Sequence, residues 1–189
     1  FDLNKTIVCI NNEKWTDIGA EEFYNYYLQG IKVVACCNKN ILKEFSKYAK
    51  NCLRLSQCVP NSFLVTKQEA EAKFKKRFNK KIVGFSGNIK NNLKNFENIK
   101  KACDISGVNL VVAKKIPQSK LPLWYKQIDL IICASTSEGG PMCLLEAGAS
   151  AVPVLSTRVG LCRELIGNDT GELLESIDPN HISKKINYI

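Results

Sequence analysis

Glu138 and Glu146 flank the run Gly139-Gly140-Pro141-Met142, with seven residues between the two acids. The glycine pair allows a tight turn, and Pro141 suits the first position of a helix, where a missing N–H leaves no bond unmade. A helix opening there presents unpaired backbone amides and the positive end of its dipole, a setting that holds an anion such as a diphosphate. Glu138 would lie just before that helix and Glu146 five residues past Pro141, about 7.5 Å along its axis from that proline at the usual rise. Ionised carboxylates accept hydrogen bonds and donate none, so two of them beside an anion ask for a ligand that also brings hydroxyl groups. A phosphorylated, hydroxyl-rich ligand of the sugar-nucleotide kind meets both demands. Residue by residue, the same segment also fits a plain amphipathic helix with a solvated Glu146.

A second constellation starts at Ile82-Val83-Gly84-Phe85-Ser86-Gly87-Asn88, an apolar run entering a glycine turn, followed by Lys90, Lys94 and a helix near Asn95-Phe96. Amides and lysines around such a turn can hold phosphate, although an ordinary strand-to-helix turn has the same composition. A third segment, Val112 to Gln118 with Ile116 in its middle, is either a surface loop or a rest for a nucleotide base.

The first segment resembles the E-x7-E signature of glycosyltransferase family 4, the group 1 glycosyltransferases of two-domain GT-B architecture. The likeness continues in the family's order through Glu146-Ala147, Ala149, Pro153-Val154, Val159-Gly160, Glu164-Leu165-Ile166 and Thr170-Gly171. The second resembles the family's G-R…K-G element, in which an arginine and a lysine neutralise the donor diphosphate. Lys94 matches the lysine, Asn88 stands in the arginine's place and Asn95 replaces the following glycine. Val59-Pro60-Asn61 resembles the family's V-P-N-G with Ser62 for glycine, and Ala151 replaces the glycine usual before the Pro-Val strand, a change expected to tighten packing there.

The resemblance implies a retaining, hexosyltransferase-type enzyme that moves a sugar from a nucleotide-activated donor to a glycan, lipid-linked or other acceptor. Glu138 would act at the sugar or its reacting carbon and Glu146 would bond the ribose. Gly87, Asn88, Lys94, Ile116, Gly139, Gly140, Pro141 and Met142 would line the donor, and no metal or other cofactor is called for. Replacing Glu146 by Ala is expected to leave folding intact and weaken nucleotide binding. Asn88 in place of the arginine favours an alternative, a catalytically silent nucleotide-sugar-binding module working with a separate acceptor domain.

These residues need elements to hold them. Strands are expected near Thr6 to Ile10, Ile31 to Cys36, Cys52 to Leu55, Ile82 to Ser86, Asn109 to Val112, Asp129 to Ala134 and Val152 to Leu155. Helices are expected around Glu21 to Tyr27, from Asn38 to about Ala49, from a Thr66 cap to Phe78, and over Leu93–Ile105, Leu121–Gln127 and Pro141–Ser150. Regular strand and helix alternation predicts an α/β, Rossmann-like parallel sheet with helices on both faces, with ligands beyond the strands' carboxyl ends. In the terms of the resemblance this is the C-terminal half of a GT-B enzyme. Residues 1–30 would be an edge element or a remnant of the acceptor domain, and 31–189 the donor-binding domain with its last helices cut short.

The composition is that of a folded protein, 45% hydrophobic and 24% charged, which argues against disorder. No apolar stretch approaches the roughly 18 residues that span a bilayer. A cytoplasmic protein is expected, at most peripheral at the inner membrane surface. The net charge of +9 admits an anionic membrane, a phosphorylated ligand or nucleic acid. It arises from 23 lysines against 4 arginines, whereas base readout favours arginine, and the basic run Lys73 to Lys81, which carries Phe74 and Phe78, reads mostly as the charged surface of a helix. A DNA-binding or DNA-modifying protein is therefore the weakest of these readings. Nine cysteines without a C-x-x-C and a single histidine, His181, suggest neither a zinc site nor a disulfide framework. Cys9, Cys36, Cys133 and Cys143 lie among apolar neighbours and read as reduced core residues.

Overall fold

A computed structural model describes residues 7–10, 14–75, 81–167 and 170–189. The chain divides into two units: Phe1–Gln57 with Ser137–Pro141 and Val159–Leu161, and Cys58–Thr136 with Met142–Arg158 and Cys162–Ile189.

In the first unit β1 (Ile7–Ile10), α1 (Ala20–Phe23), β2 (Val33–Cys36), α2 (Lys39–Phe45) and β3 (Cys52–Arg54) follow one another. The strands form a parallel sheet in the order β1-β2-β3. The β-branched run of β2 is central and buried, packed with Leu28, Ile41 and Phe45. The aromatic segment expected to be helical is α1 continued by a π-helical turn at Tyr24–Leu28. Asn38 caps α2, its side chain accepting from the Ile41 N–H at 2.9 Å. The helix ends at Phe45 rather than Ala49, since Tyr48 and Ala49 turn back to bond the Phe45 carbonyl. Cys9 is exposed, not in the core as expected, because it lies on the outer side of an edge strand.

The second unit carries α3 (Lys67–Lys75), β4 (Ile82–Phe85), α4 (Phe96–Ser106), β5 (Asn109–Val112), α5 (Leu121–Tyr125), β6 (Leu130–Cys133), α6 (Met142–Ala149), β7 (Val154–Thr157), α7 (Cys162–Leu165), β8 (Gly171–Leu174) and α8 (Pro179–Tyr188). The sheet is wholly parallel in the order β5-β4-β6-β7-β8. After β5 the chain returns to lay β6 on the other side of β4. Doubly wound sheets bind ligands beyond the carboxyl ends of the strands at such a reversal, here β4 and β6. All of β6 is buried, and α4 and α8 cover one core through Ile99, Ala102, Cys103, Ile182 and Ile186.

The expected parallel α/β architecture is present, with local differences. Helix α6 begins at Met142, so Pro141 stands one position before it. Helix α4 begins at Phe96 because Asn92–Lys94 forms a 3-10 turn and Asn95 takes a left-handed conformation, φ 51° and ψ 39°. Strand β8 and helix α8 were not anticipated, although Asp178 caps α8 and Pro179 opens it in the ordinary way. Thr66 and Glu69 cap α3 reciprocally. Thr6, the helix end expected at 76–78 and most of the basic run lie outside the described residues.

Helix α6 closes with the Val152 N–H bonded to the Ala147 carbonyl and the Ala151 N–H to that of Gly148. This is the Schellman arrangement, whose penultimate position is normally glycine. Ala151 holds it at φ 49°, a left-handed backbone that costs steric strain for a residue with a side chain.

Candidate donor-site residues

At the carboxyl end of β4 the chain turns through Gly87 and Asn88, both exposed. The Asn88 side chain accepts from the Lys90 N–H at 3.0 Å and its carbonyl from Asn91 at 3.1 Å, a local Asx turn. A Cβ on Gly87 would stand 3.8 Å from Cδ of Lys94, which places the half-buried lysine stem beside the turn.

Two hydrogen bonds hold Lys94 near the exit of β6. The Asn95 side chain donates to the Ala134 carbonyl at 2.8 Å, and the Thr136 N–H donates to the Leu93 carbonyl at 2.9 Å. Asparagine tolerates the left-handed backbone nearly as glycine does, so Asn95 keeps the path of the glycine it replaces and adds a bond glycine cannot make. Lys94 also acts on Cys143, the second residue of α6. A hydrogen bond with Cys133 and burial push the Cys143 thiol up, and the ammonium of Lys94 pulls it partly down. Lys94 is thus within electrostatic reach of the start of α6.

Glu146, one turn into α6, is buried. Its Oε2 accepts the Tyr125 hydroxyl at 2.8 Å. Tyr125 is wholly enclosed, edge-on to Phe63 and Trp124 with ring centroids 5.9 and 5.0 Å away. Burial, then the neighbouring Cys143 and Glu146, raise its pKa, so it stays protonated and donates. The solvated Glu146 of a plain amphipathic helix is therefore not what the chain builds. Nor can Glu146 be truncated without consequence for folding, because a buried hydroxyl would lose its acceptor. Tyr125 escaped the sequence reading. The available signal was a tyrosine on the apolar side of a short helix, whose hydroxyl requires a partner once buried.

Glu138, Gly139, Gly140 and Pro141 belong to the first unit. The Gly139 carbonyl accepts from Asn38 Nδ2 at 2.9 Å and from the Leu161 N–H at 3.1 Å. Gly160, at φ 46°, passes so close that a Cβ there would lie 2.2 Å from that carbonyl oxygen, so only glycine fits. The Gly140 backbone lies against Gln57, whose buried Oε1 has no hydrogen-bond partner among the described residues. Glu138 is half-buried and Pro141 buried.

The structure therefore associates Gly87, Lys94 and the first turn of α6 within the second unit, and pins Gly139 within the first. Met142 is exposed at the start of α6, and Glu146 lies a turn deeper. Ile116 sits half-buried in the loop after β5, and among the described residues no hydrogen bond joins it to the others. Among the described residues no group of three or more His, Cys, Asp or Glu side chains could hold a metal ion. No described helix is long and apolar enough to cross a membrane.

The family described as Glycosyl transferases group 1 matches residues 69–189. No individual curated protein sequence matches the chain. Its fold is similar to that of HepE from Anabaena, solved with UDP and glucose (TM-score 0.71, 13% identity, covering 96% of this chain and 61% of that one). It is similar also to a TarM variant from S. aureus, solved with fondaparinux, alpha-GlcNAc-glycerol and UDP (TM-score 0.71, 16% identity, 95% and 42% covered). The pneumococcal O-GlcNAc transferase GtfA, solved with UDP and GlcNAc, gives a TM-score of 0.68 at 14% identity, with 95% and 44% covered. At such identities the likeness shows the fold. The chain spans 42–61% of the length of these proteins.

Proposed function

Since the chain belongs to the group 1 glycosyl transferases, we propose that it supplies the donor-binding part of a retaining glycosyltransferase, moving a sugar from a nucleoside diphosphate to a glycan, lipid-linked or other acceptor. The observation that carries this reading lies at the carboxyl ends of β4 and β6 in the second unit. There Lys94 is held beside the exit of β6 while Glu146 is buried one turn into α6 on the hydroxyl of Tyr125. A cation near a helix start suits a diphosphate, and a buried carboxylate with an acceptor oxygen to offer suits the vicinal hydroxyls of a ribose.

In this reading the Met142 amide meets leaving-group oxygens and Glu146 the ribose, both within the second unit, while the expected roles of Glu138, at the sugar, and of the Gly139 and Gly140 amides fall to the first unit. Charge grows on the departing diphosphate in the transition state, so Lys94 and the peptide dipoles favour that state over the ground state without a metal ion. HepE, TarM and GtfA were each solved with UDP, which makes uridine diphosphate sugars the first donors to test.

A thermal-shift panel of uridine, guanosine, adenosine and cytidine diphosphates and their sugar conjugates checks the proposal, because a ligand confined to the folded state raises its stability by mass action. One nucleotide family should raise the melting temperature in a dose-dependent way. If none does, the donor reading fails. A second reading, a binding module without turnover, is favoured by Asn88, whose side chain closes its own turn where the family carries an arginine. Binding without release of nucleoside diphosphate in the presence of acceptors would select it.

A further inference from the structure

We propose that Tyr125 is a positioning residue for nucleotide recognition: its hydroxyl fixes the Glu146 carboxylate in the orientation that receives the hydroxyls of a ribose. The inference rests on the donor-site reading above and concerns a residue to which the family resemblance assigns no role.

The ring of Tyr125 cannot move without disturbing the core. It is wholly buried, it meets Phe63 and Trp124 edge-on, and its own carbonyl receives Lys73 Nζ at 3.0 Å, which ties the end of α5 to α3. A glutamate side chain has three rotatable bonds, and freezing them when a ligand arrives costs affinity. Here one carboxylate oxygen is already held at 2.8 Å by a rigid donor. The other has no hydrogen bond among the described residues, so it is oriented yet available. Burial keeps the phenol protonated, so the bond runs from tyrosine to carboxylate. A tyrosine serving only to fill space would be replaceable by phenylalanine without effect on ligand choice, and this separates the two roles.

The test is calorimetric titration of the wild-type chain, Tyr125→Phe and Glu146→Ala with UDP and with 2′,3′-dideoxy-UDP, or with the corresponding pair for whichever base the thermal panel selects. The wild type should prefer the ribose form by about tenfold or more, the scale of a hydrogen bond to a charged acceptor. Tyr125→Phe should lose most of that preference, binding UDP about tenfold more weakly while its affinity for the dideoxy compound stays within about twofold. Glu146→Ala should abolish the preference.

Equal losses for both ligands in Tyr125→Phe, or no loss, alongside a Glu146→Ala that still abolishes the preference, would leave the donor reading standing and overturn the role of Tyr125. A wild type with no ribose preference, or one that binds none of the four nucleotides, would overturn the donor reading and this inference with it. Should Tyr125→Phe fold poorly, a crystal structure of the wild type with UDP decides the matter. The bond from Tyr125 to Glu146 should persist with the second oxygen on the ribose, and its rupture on binding would refute the proposal.

Discussion

The side chain of Asn95 bridges to the carbonyl of Ala134 at 2.8 Å, so the residue after Lys94 is fastened to the residue that leaves β6. Asn95→Ala removes that bond and forces alanine into a left-handed backbone, and should cost about 2 kcal/mol from the two effects together. Asn95→Gly keeps the backbone and loses only the bond, about 1 kcal/mol. Urea denaturation should rank wild type above Gly above Ala, and both variants should bind the diphosphate more weakly as Lys94 drifts. An Asn95→Gly protein with wild-type affinity would mean that the bridge does not serve the lysine.

Lys94 and Asn88 allow a charge test in opposite directions. Lys94→Met should weaken nucleoside diphosphate binding by about tenfold and flatten its dependence on salt, the mark of a lost ion contact. Asn88 is exposed, and among the described residues its side chain bonds only within its own turn, so Asn88→Arg should fold normally. It should raise diphosphate affinity several-fold if a cation is wanted there. Titrations at two ionic strengths report both.

Glu146 calls for two substitutions. Ala strands the buried Tyr125 hydroxyl, so Glu146→Ala should lose about 1–3 kcal/mol of stability as well as nucleotide binding. Gln retains an acceptor oxygen for the tyrosine while donating from its amide, so Glu146→Gln should fold nearly as well as wild type and still bind ribose poorly. Equal stability of Ala and wild type in urea would contradict the buried geometry.

Ala151 occupies a glycine position at φ 49°. Relief of that strain is worth about 1 kcal/mol, partly offset by the greater freedom of glycine in the unfolded chain. Ala151→Gly should therefore raise the melting temperature modestly, leaving nucleotide affinity unchanged. A lower melting temperature would show that the alanine methyl packs usefully.

Much of the donor-site reading was present in local residue types. The Gly-Gly turn before a helix, the Glu138 and Glu146 spacing, the apolar run of β6 and the lysine after a glycine turn are short-range patterns, and short-range patterns report backbone conformation directly. The strand and helix alternation likewise implied a parallel sheet. The caps at Asn38, Thr66 and Asp178 were equally local, although the helix behind Asp178 went unread.

What required the tertiary structure was every relationship between segments distant in the chain. Tyr125 and Glu146 are 21 residues apart, Asn95 and Ala134 39, and Asn38 and Gly139 101. No periodicity encodes such pairs, because each depends on which strands become neighbours and how side chains fill the space between them. The sequence by itself supplied candidates for binding an anion and a sugar. Folding decided that Glu146 is buried on a tyrosine rather than solvated, that β2 shares a sheet with β1 and β3, and that Asn95 replaces glycine with a bond in addition. Burial and hydrogen-bond pairing are settled by long-range packing, to which local sequence contributes candidates only.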